Sequence, residues 1–395
     1  MTELIAVLKD GAWPITIFIA WYMGELAQRW TKLPRISVYA VVGFILASSQ
    51  SGFLPPTNSS TTLLANIAFG LLLFECGYRI NLHWLRTNPW IVVTSVTESM
   101  FIFITVYAVM IWFAQSQMIA LLLAALSTAS SPATIIRVIL EQRSSGQVTE
   151  RALHLSVLNS MLAVLVFKMI LGLVVFNTSG NVWDAIHISL MVLFASAGVG
   201  AVMGMMIPTL LRPTDRTTHD NTLAFTITVI GLVALTHSLK LSPIFAVLIF
   251  GIVARHRRVV LTSSQRGFGS LGELVSIFLF VFIAAKLAWG QVYAGIWLGL
   301  FILVVRQLVK AVVISIFAKL SGISWHKGWL VGLATAPMSV SIILMLEQAR
   351  YRGVDLVAQL SPLIAIALML EILGPVLSQL ALRWAHEVAE PHKEV

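Results

Sequence analysis

A chain of 395 residues that is 58% hydrophobic and only 11% charged carries more apolar surface than a soluble core can hide, which makes it a polytopic membrane protein. A hydrocarbon core about 30 Å thick takes roughly 20 apolar residues per helical span. About twelve or thirteen spans therefore use up the length and exclude a fused nucleotide-binding or regulatory domain. The formal charge of +9 fits basic loops at a membrane face, not a nucleic-acid partner.

Apolar runs between polar or turn-forming breaks give thirteen predicted helices. In chain order they lie at about 12 to 28, 36 to 52, 61 to 78, 89 to 113, 117 to 140, 153 to 176 and 184 to 210, then 221 to 238, 242 to 255, 268 to 287, 291 to 318, 328 to 348 and 357 to 384. The runs are continuous, without strand alternation, so helices are the spanning element. The opening Met-Thr-Glu-Leu-Ile has neither the basic start nor the cleavage site of a signal peptide, so the first span is expected to be retained. The single cysteine, Cys76, forms no intrachain disulfide. Motifs for zinc hydrolysis, phosphate cradling or a nucleophile elbow are absent from the sequence, so neither a cofactor, nor ATP-driven transport, nor enzyme activity is expected.

With the N-terminus outside, seventeen of the 26 Lys and Arg residues fall on the inner side and five on the outer. The remaining four, Arg137, Lys168, Arg306 and Lys310, fall within spans. That bias puts the C-terminus in the cytoplasm and supports an odd span count. The twelve Trp residues, Trp30 and Trp112 among them, fall mostly near span ends and read as interfacial anchors.

The two halves are related. Lys32-Leu33-Pro34-Arg35-Ile36 through Gly43 resembles Lys240-Leu241-Ser242-Pro243-Ile244 through Gly251 at an offset of 208 residues. Ser130-Ser131-Pro132-Ala133-Thr134 resembles Thr335-Ala336-Pro337-Met338-Ser339 at an offset of 205. Seven helices, an odd number, lie within that offset, so equivalent helices run in opposite directions. Pro132 and Pro337 sit at matching places in long apolar spans, and such paired interruptions mark a midplane binding site. The alternative for each Pro is a kink in an ordinary helix.

These pieces resemble the cation/proton antiporter superfamily, in particular its sodium/proton exchanger and Kef-type potassium/proton antiporter group. Carrying the resemblance are Leu33-Pro34 before Gly43, Leu72-Leu73-Phe74-Glu75-Cys76-Gly77, Ser130-Ser131-Pro132-Ala133, Leu158-Asn159-Ser160, Leu241-Ser242, Arg306 and Leu373-Gly374-Pro375. The resemblance implies an all-α fold of inverted repeats in which broken helices 5 and 12 cross. It also implies a grouping of segments. Residues 1–88 (helices 1 to 3) and 221–290 (helices 8 to 10) would dimerise, residues 89–180 (helices 4 to 6) and 291–385 (helices 11 to 13) would form a moving core, residues 181–220 would be a linker helix, and 386–395 a cytoplasmic tail. The partners implied are a monovalent cation, protons, the lipid of a cytoplasmic membrane and a second copy of the chain. Any regulatory domain would be a separate soluble subunit.

One departure matters. Where the family carries Asp-Asp or Asn-Asp in the sixth span, this chain reads Asn159-Ser160, and neither side chain titrates near neutral pH. Another acid must serve, or proton coupling is lost. An ionisable residue at membrane depth is a functional hypothesis by default. Glu98 in helix 4 and Arg306 in helix 11 lie 208 residues apart, at repeat-related positions, and are expected to pair. Two readings stand: a proton or cation competing for the Glu98 carboxylate, or a permanent ion pair that holds the core together. Glu75 is a second-choice acid near an inner helix end. Glu371 lies deeper, in a segment the family uses mainly for packing. Arg137 and Lys310 are expected to snorkel or pair, Lys168 to reach the outer interface, and His154 to sit at the inner one. Thr128, Ser130 and Ser131 would line the helix 5 break and offer oxygen to an alkali ion; their alternative role is tight helix packing with hydroxyls bonded one turn back.

Two functions follow. The first is exchange of Na⁺ or K⁺ for protons by alternating access, with Glu98, Asn159 and Ser160 in the site. The second is a related protein without proton coupling, acting as a sensor, a complex subunit or an uncoupled solute pathway.

Overall fold

A computed structural model describes residues 11–176, 182–211, 221–257, 268–338 and 360–388, together with residues 340, 342, 343, 345 and 346. Lys9, Arg212, Arg216, Arg258, Arg266, Arg350, Arg352 and Lys393, which entered the charge asymmetry, lie outside the described residues, as does most of the tail.

Every regular element among the described residues is a helix. In chain order these are α1 (Ala12–Thr31), α2 (Arg35–Leu46), α3 (Ser59–Arg79), the short α4 (Leu82–Thr87), α5 (Trp90–Trp112), α6 (Gln117–Ser127), α7 (Pro132–Gln142), α8 (Gln147–Phe176) and α9 (Val182–Leu211). There follow α10 (Asn221–Ser238), α11 (Pro243–His256), α12 (Gly269–Ala285), α13 (Trp289–Ala318), α14 (Trp325–Ala334) and α15 (Ser361–Trp384). Each predicted span has its helix, and α4 is an addition. Among the described residues seven stretches are long and apolar enough to cross a membrane, Gln117–Gln142, which joins α6 and α7, being one of them, while α2, α10, α11 and α12 are shorter apolar helices.

Helices 5 and 12 are broken where the prolines stand. α6 stops at Ser127 and α7 starts at Pro132. Pro132 has no N–H for the carbonyl of Thr128 and excludes its predecessor from helical backbone, and Ser131 is extended at φ −102°, ψ 95°. The hydroxyl of Ser131 then accepts from the N–H of Thr134, starting the new helix with Pro132 in its first turn. α14 stops at Ala334, and helical backbone resumes at Val340, beyond Pro337. The Ser131 N–H donates to the Pro337 carbonyl at 2.6 Å, so the two breaks meet.

The repeat is visible in the backbone as well as in the sequence. Lys32 and Lys240, 208 residues apart, both adopt φ 56°. Each ends a helix with a left-handed turn that a proline follows. The paired glycines do matching work. A Cβ on Gly43 of α2 would stand 2.5 Å from the carbonyl oxygen of Val281 in α12, and one on Gly251 of α11 would stand 2.5 Å from that of Phe74 in α3. Helix backbones touch at both places because nothing larger than hydrogen lies between them.

The helices that carry polar side chains are inverted relative to those of a soluble protein. α13 buries Gly295, Gly299, Ile302, Arg306, Lys310 and Ile314 along one face and exposes Trp297, Phe301, Val304, Leu308 and Val312. α5 likewise buries Thr94, Ser95, Glu98 and Ser99 and exposes Val96, Met100 and Phe101. Ionic groups face protein and apolar ones face lipid, as burial cost in hydrocarbon demands.

The chain forms two compact units. One takes Met1–Pro56, Asn88–Ala163 and Phe280–Val395, and the other Thr57–Thr87 and Val164–Leu279. In the first, Glu387 beyond α15 clasps the start of α8. Its carboxylate accepts from the N–H of Val148 and of Thr149 at 2.8 Å each and from the Thr149 hydroxyl at 2.9 Å. In the second, Phe74, Phe225, Phe250 and Phe268 form an aromatic cluster, and the Arg255 guanidinium donates to the carbonyls of Tyr78 and Arg79.

Gly251→Ala is expected to destabilise the protein by about 1 to 3 kcal/mol, because the methyl must displace backbone. Gly231→Ala in α10, where an added Cβ meets nothing within 4 Å, is expected to be neutral or stabilising by up to about 1 kcal/mol. Thermal unfolding in detergent compares the two.

Candidate functional site

Breaking two helices inside a membrane frees carbonyls that water cannot reach, and each must find a donor. Arg306 supplies the donors. Its Nε donates to the Ser127 carbonyl at 2.8 Å, one terminal nitrogen to the Ala129 carbonyl at 2.8 Å, and the other to the Ala336 carbonyl at 3.1 Å. The first two acceptors end α6 and the third follows the end of α14, so one buried guanidinium caps both half-helices. A helix C-terminus carries roughly half a negative charge, so two such ends and one guanidinium come close to neutrality. The planar fork of Arg reaches three acceptors at once, which an ammonium does not.

Next to this cap stands a buried polar cluster. The Asn159 amide of α8 donates to Glu98 Oε1 at 3.0 Å, and the Ser95 hydroxyl donates to Asn159 Oδ1 at 2.6 Å. Lys310 Nζ lies 2.9 Å from the same Glu98 oxygen and donates to Ser130 Oγ at 2.6 Å. The Ser130 hydroxyl faces the Thr335 carbonyl at 3.4 Å and the Asn159 amide at 3.5 Å. The Ser160 hydroxyl donates to the Ser130 carbonyl. Glu98 and Lys310 are fully buried. Glu98 Oε2 makes no hydrogen bond among the described residues. A carboxylate with one oxygen held by an ammonium and an amide, and the other open, can take up a small cation or a proton.

This arrangement corrects one pairing. Glu98 was expected to pair with Arg306, and its ion-pair partner is Lys310. The guanidinium is taken up by the three carbonyls, and Lys310, one turn on along the same buried face of α13, reaches the carboxylate instead. Lys310 does not snorkel. Of the three hydroxyls at the helix 5 break, Ser130 joins the cluster. Thr128 donates to the Ala125 carbonyl in its own helix at 2.7 Å, and Ser131 shares a hydrogen bond with the Thr134 hydroxyl at 2.9 Å. Both hydroxyls are engaged within their own segments. Glu75 belongs to the other compact unit and forms an ion pair with Arg79 of its own helix at 3.3 Å. Lys168 is buried in that unit too. The His154 ring bonds the Glu150 carbonyl, also in its own helix, at 2.7 Å. Sequence reading left Ser95 and Lys310 out of the site. Their signals were helical spacings, three residues before Glu98 and four after Arg306.

The sequence matches the family described as sodium/hydrogen exchanger, transmembrane, over residues 15–383. Among solved structures the chain is similar to the sodium proton antiporter MjNhaP1 from Methanocaldococcus jannaschii at pH 8, at 18% identity with a TM-score of 0.71, covering 96% of this chain and 97% of that one. An electron-microscopy structure of the same antiporter gives 17% identity and a TM-score of 0.73 over 98% of this chain and 97% of that one. A comparison with curated proteins finds no match.

Arg306→Lys keeps the charge and loses the fork. Each charge-assisted hydrogen bond removed is expected to cost about 1.5 to 3 kcal/mol, so this variant should unfold at a clearly lower temperature than Lys310→Arg, which retains a cation beside Glu98. Equal melting of the two variants would contradict the capping role.

Proposed function

The chain belongs to the sodium/hydrogen exchanger family of membrane transporters, and on that premise we propose that it exchanges a monovalent cation, Na⁺ or K⁺, for protons, with Glu98 as the exchanging acid. The observation that carries this reading is the buried Glu98 carboxylate, bound through Oε1 to Lys310 and Asn159 and open at Oε2. In the cation-free state the Lys310 ammonium neutralises Glu98. An incoming alkali ion takes the carboxylate, with oxygen offered by Asn159 Oδ1 and Ser130 Oγ, and displaces the ammonium. A proton competes for the same carboxylate from the other side of the membrane. Asn159 does not titrate; it orients Glu98, and Ser95 in turn orients Asn159. Ser160 ties α8 to the helix 5 break.

Alternating access in this reading exposes the cluster to each side in turn, with residues 89–180 and 291–385 moving against a dimer formed through residues 1–88 and 221–290. The N-terminus faces outward and the C-terminus the cytoplasm, in agreement with the Lys and Arg asymmetry. A second reading is carried by Asn159-Ser160 itself: with no carboxylate on α8 at this depth, the transporter scaffold has given up proton coupling and serves as a sensor, subunit or uncoupled pathway.

Proteoliposomes separate the two. Wild-type protein is expected to show proton flux driven by an alkali-cation gradient, and Glu98→Gln to abolish it. Undiminished flux in Glu98→Gln rejects the role given to that residue. Silence of the wild type with Li⁺, Na⁺ and K⁺ over a broad pH range, together with flux created by Ser160→Asp, establishes the second reading.

A further inference from the structure

Glu371 of α15 is buried to 2% exposure, and both of its carboxylate oxygens lack a hydrogen-bond partner among the described residues. Its backbone adds to the anomaly. Pro375, four residues on within the same helix, has no N–H to give to the Glu371 carbonyl. The carboxylate thus lies, without a donor to either oxygen among the described residues, beside a place where the helix ladder is interrupted.

The position of Glu371 follows from its helix. Ser378 donates to the Ala334 carbonyl, at the end of α14, at 2.7 Å. A Cβ on Gly374 would meet Pro337 at 3.1 Å. Glu371, Gly374 and Ser378 follow one another at spacings of three and four, so Glu371 shares the helix face whose later positions meet Pro337 and Ala334. Glu371 lies on the α15 face that lines the helix 12 interruption.

The charged groups on the elements packed against α15 do not compensate the carboxylate. On α13, Arg306 is bound to three carbonyls and Lys310 to Glu98 and Ser130. On α2, Arg35 pairs with Glu25, and on α7, Glu141 accepts from the Arg35 N–H. Arg137 of α7 has partners of its own, Lys327 of α14 donates to Gln147 and Arg383 of α15 itself to Gln142, and His326 is exposed at the start of α14. An ionised carboxylate in that setting is costly, and a neutral acid avoids most of that cost.

We propose that Glu371 is a second proton-binding site of this protein: it carries a proton in the state described here and releases it when movement at the helix 12 break admits water. The released proton leaves to that water, and the carboxylate left behind is hydrated until it takes a proton again. The role in exchange rests on the reading given under Proposed function; the protonation does not.

Infrared spectroscopy of the purified protein tests the protonation directly. A neutral-carboxyl C=O band is expected at neutral pH, lost in Glu371→Gln and kept in Glu98→Gln. Absence of the band in the wild type, or its persistence in Glu371→Gln, overturns the proposal. Gln is isosteric with the protonated acid, so the variant is expected to fold, and its melting temperature checks this. In proteoliposomes Glu371→Gln is expected to move fewer protons per cation and to lose one titration step from the pH dependence of flux; an unchanged ratio and profile count against the proposal. Wild-type vesicles that exchange nothing would defeat the exchange reading and leave the infrared result to decide this one.

Discussion

Two half-helix ends that meet within a bilayer present the same sign of charge to each other, and Arg306 makes that meeting tenable. The carbonyls of Ser127, Ala129 and Ala336 have no water to turn to, and a single rigid cation answers all three. Without it the breaks at Pro132 and Pro337 would repel where they now touch, through the Ser131 N–H and the Pro337 carbonyl. Much of the polar interior follows. A guanidinium so engaged is not available to a carboxylate, which leaves Glu98 to Lys310 and makes Asn159 a hydrogen-bond donor to an acid instead of a partner to one on its own helix.

The charges of this interior are arranged in balanced groups. Arg306 offsets two helix ends, and Lys310 offsets Glu98. Neutrality in groups lets polar chemistry persist at depth, where an isolated charge is costly. A cation entering such a group must replace something of like sign, and the ammonium of Lys310, a point charge on a flexible stem, is the movable member. Arg306, held by three directed bonds, is the fixed one.

Much of this was legible in the amino-acid sequence, for physical reasons. Apolar length set the helices, and the paired prolines set the breaks, since proline acts on the backbone whatever surrounds it. The repeat reached even to Lys32 and Lys240, which take the same left-handed turn, and to Gly43 and Gly251, whose close contacts are mutual images. The ion pairing was not legible. Arg306 and Lys310 share a face of α13, and spacing alone does not say which of two cations reaches a given carboxylate. That depends on how many carbonyls the breaks release, a property of two segments some 205 residues apart. The hydroxyls divided for a similar reason: Thr128 and Ser131 satisfy local backbone and side-chain partners, whereas Ser130 between them points at another helix.

The clasp of Glu387 on the first turn of α8 ties the segment after α15 to the helix that bears Asn159. Those N–H groups open α8, so the anchoring of this helix is completed by a residue more than 200 positions along the chain. The last described turn of the chain is thereby a latch on the site helix. Trimming the chain ahead of it, or fusing a bulky partner there, reaches the polar interior mechanically and without touching any residue inside it.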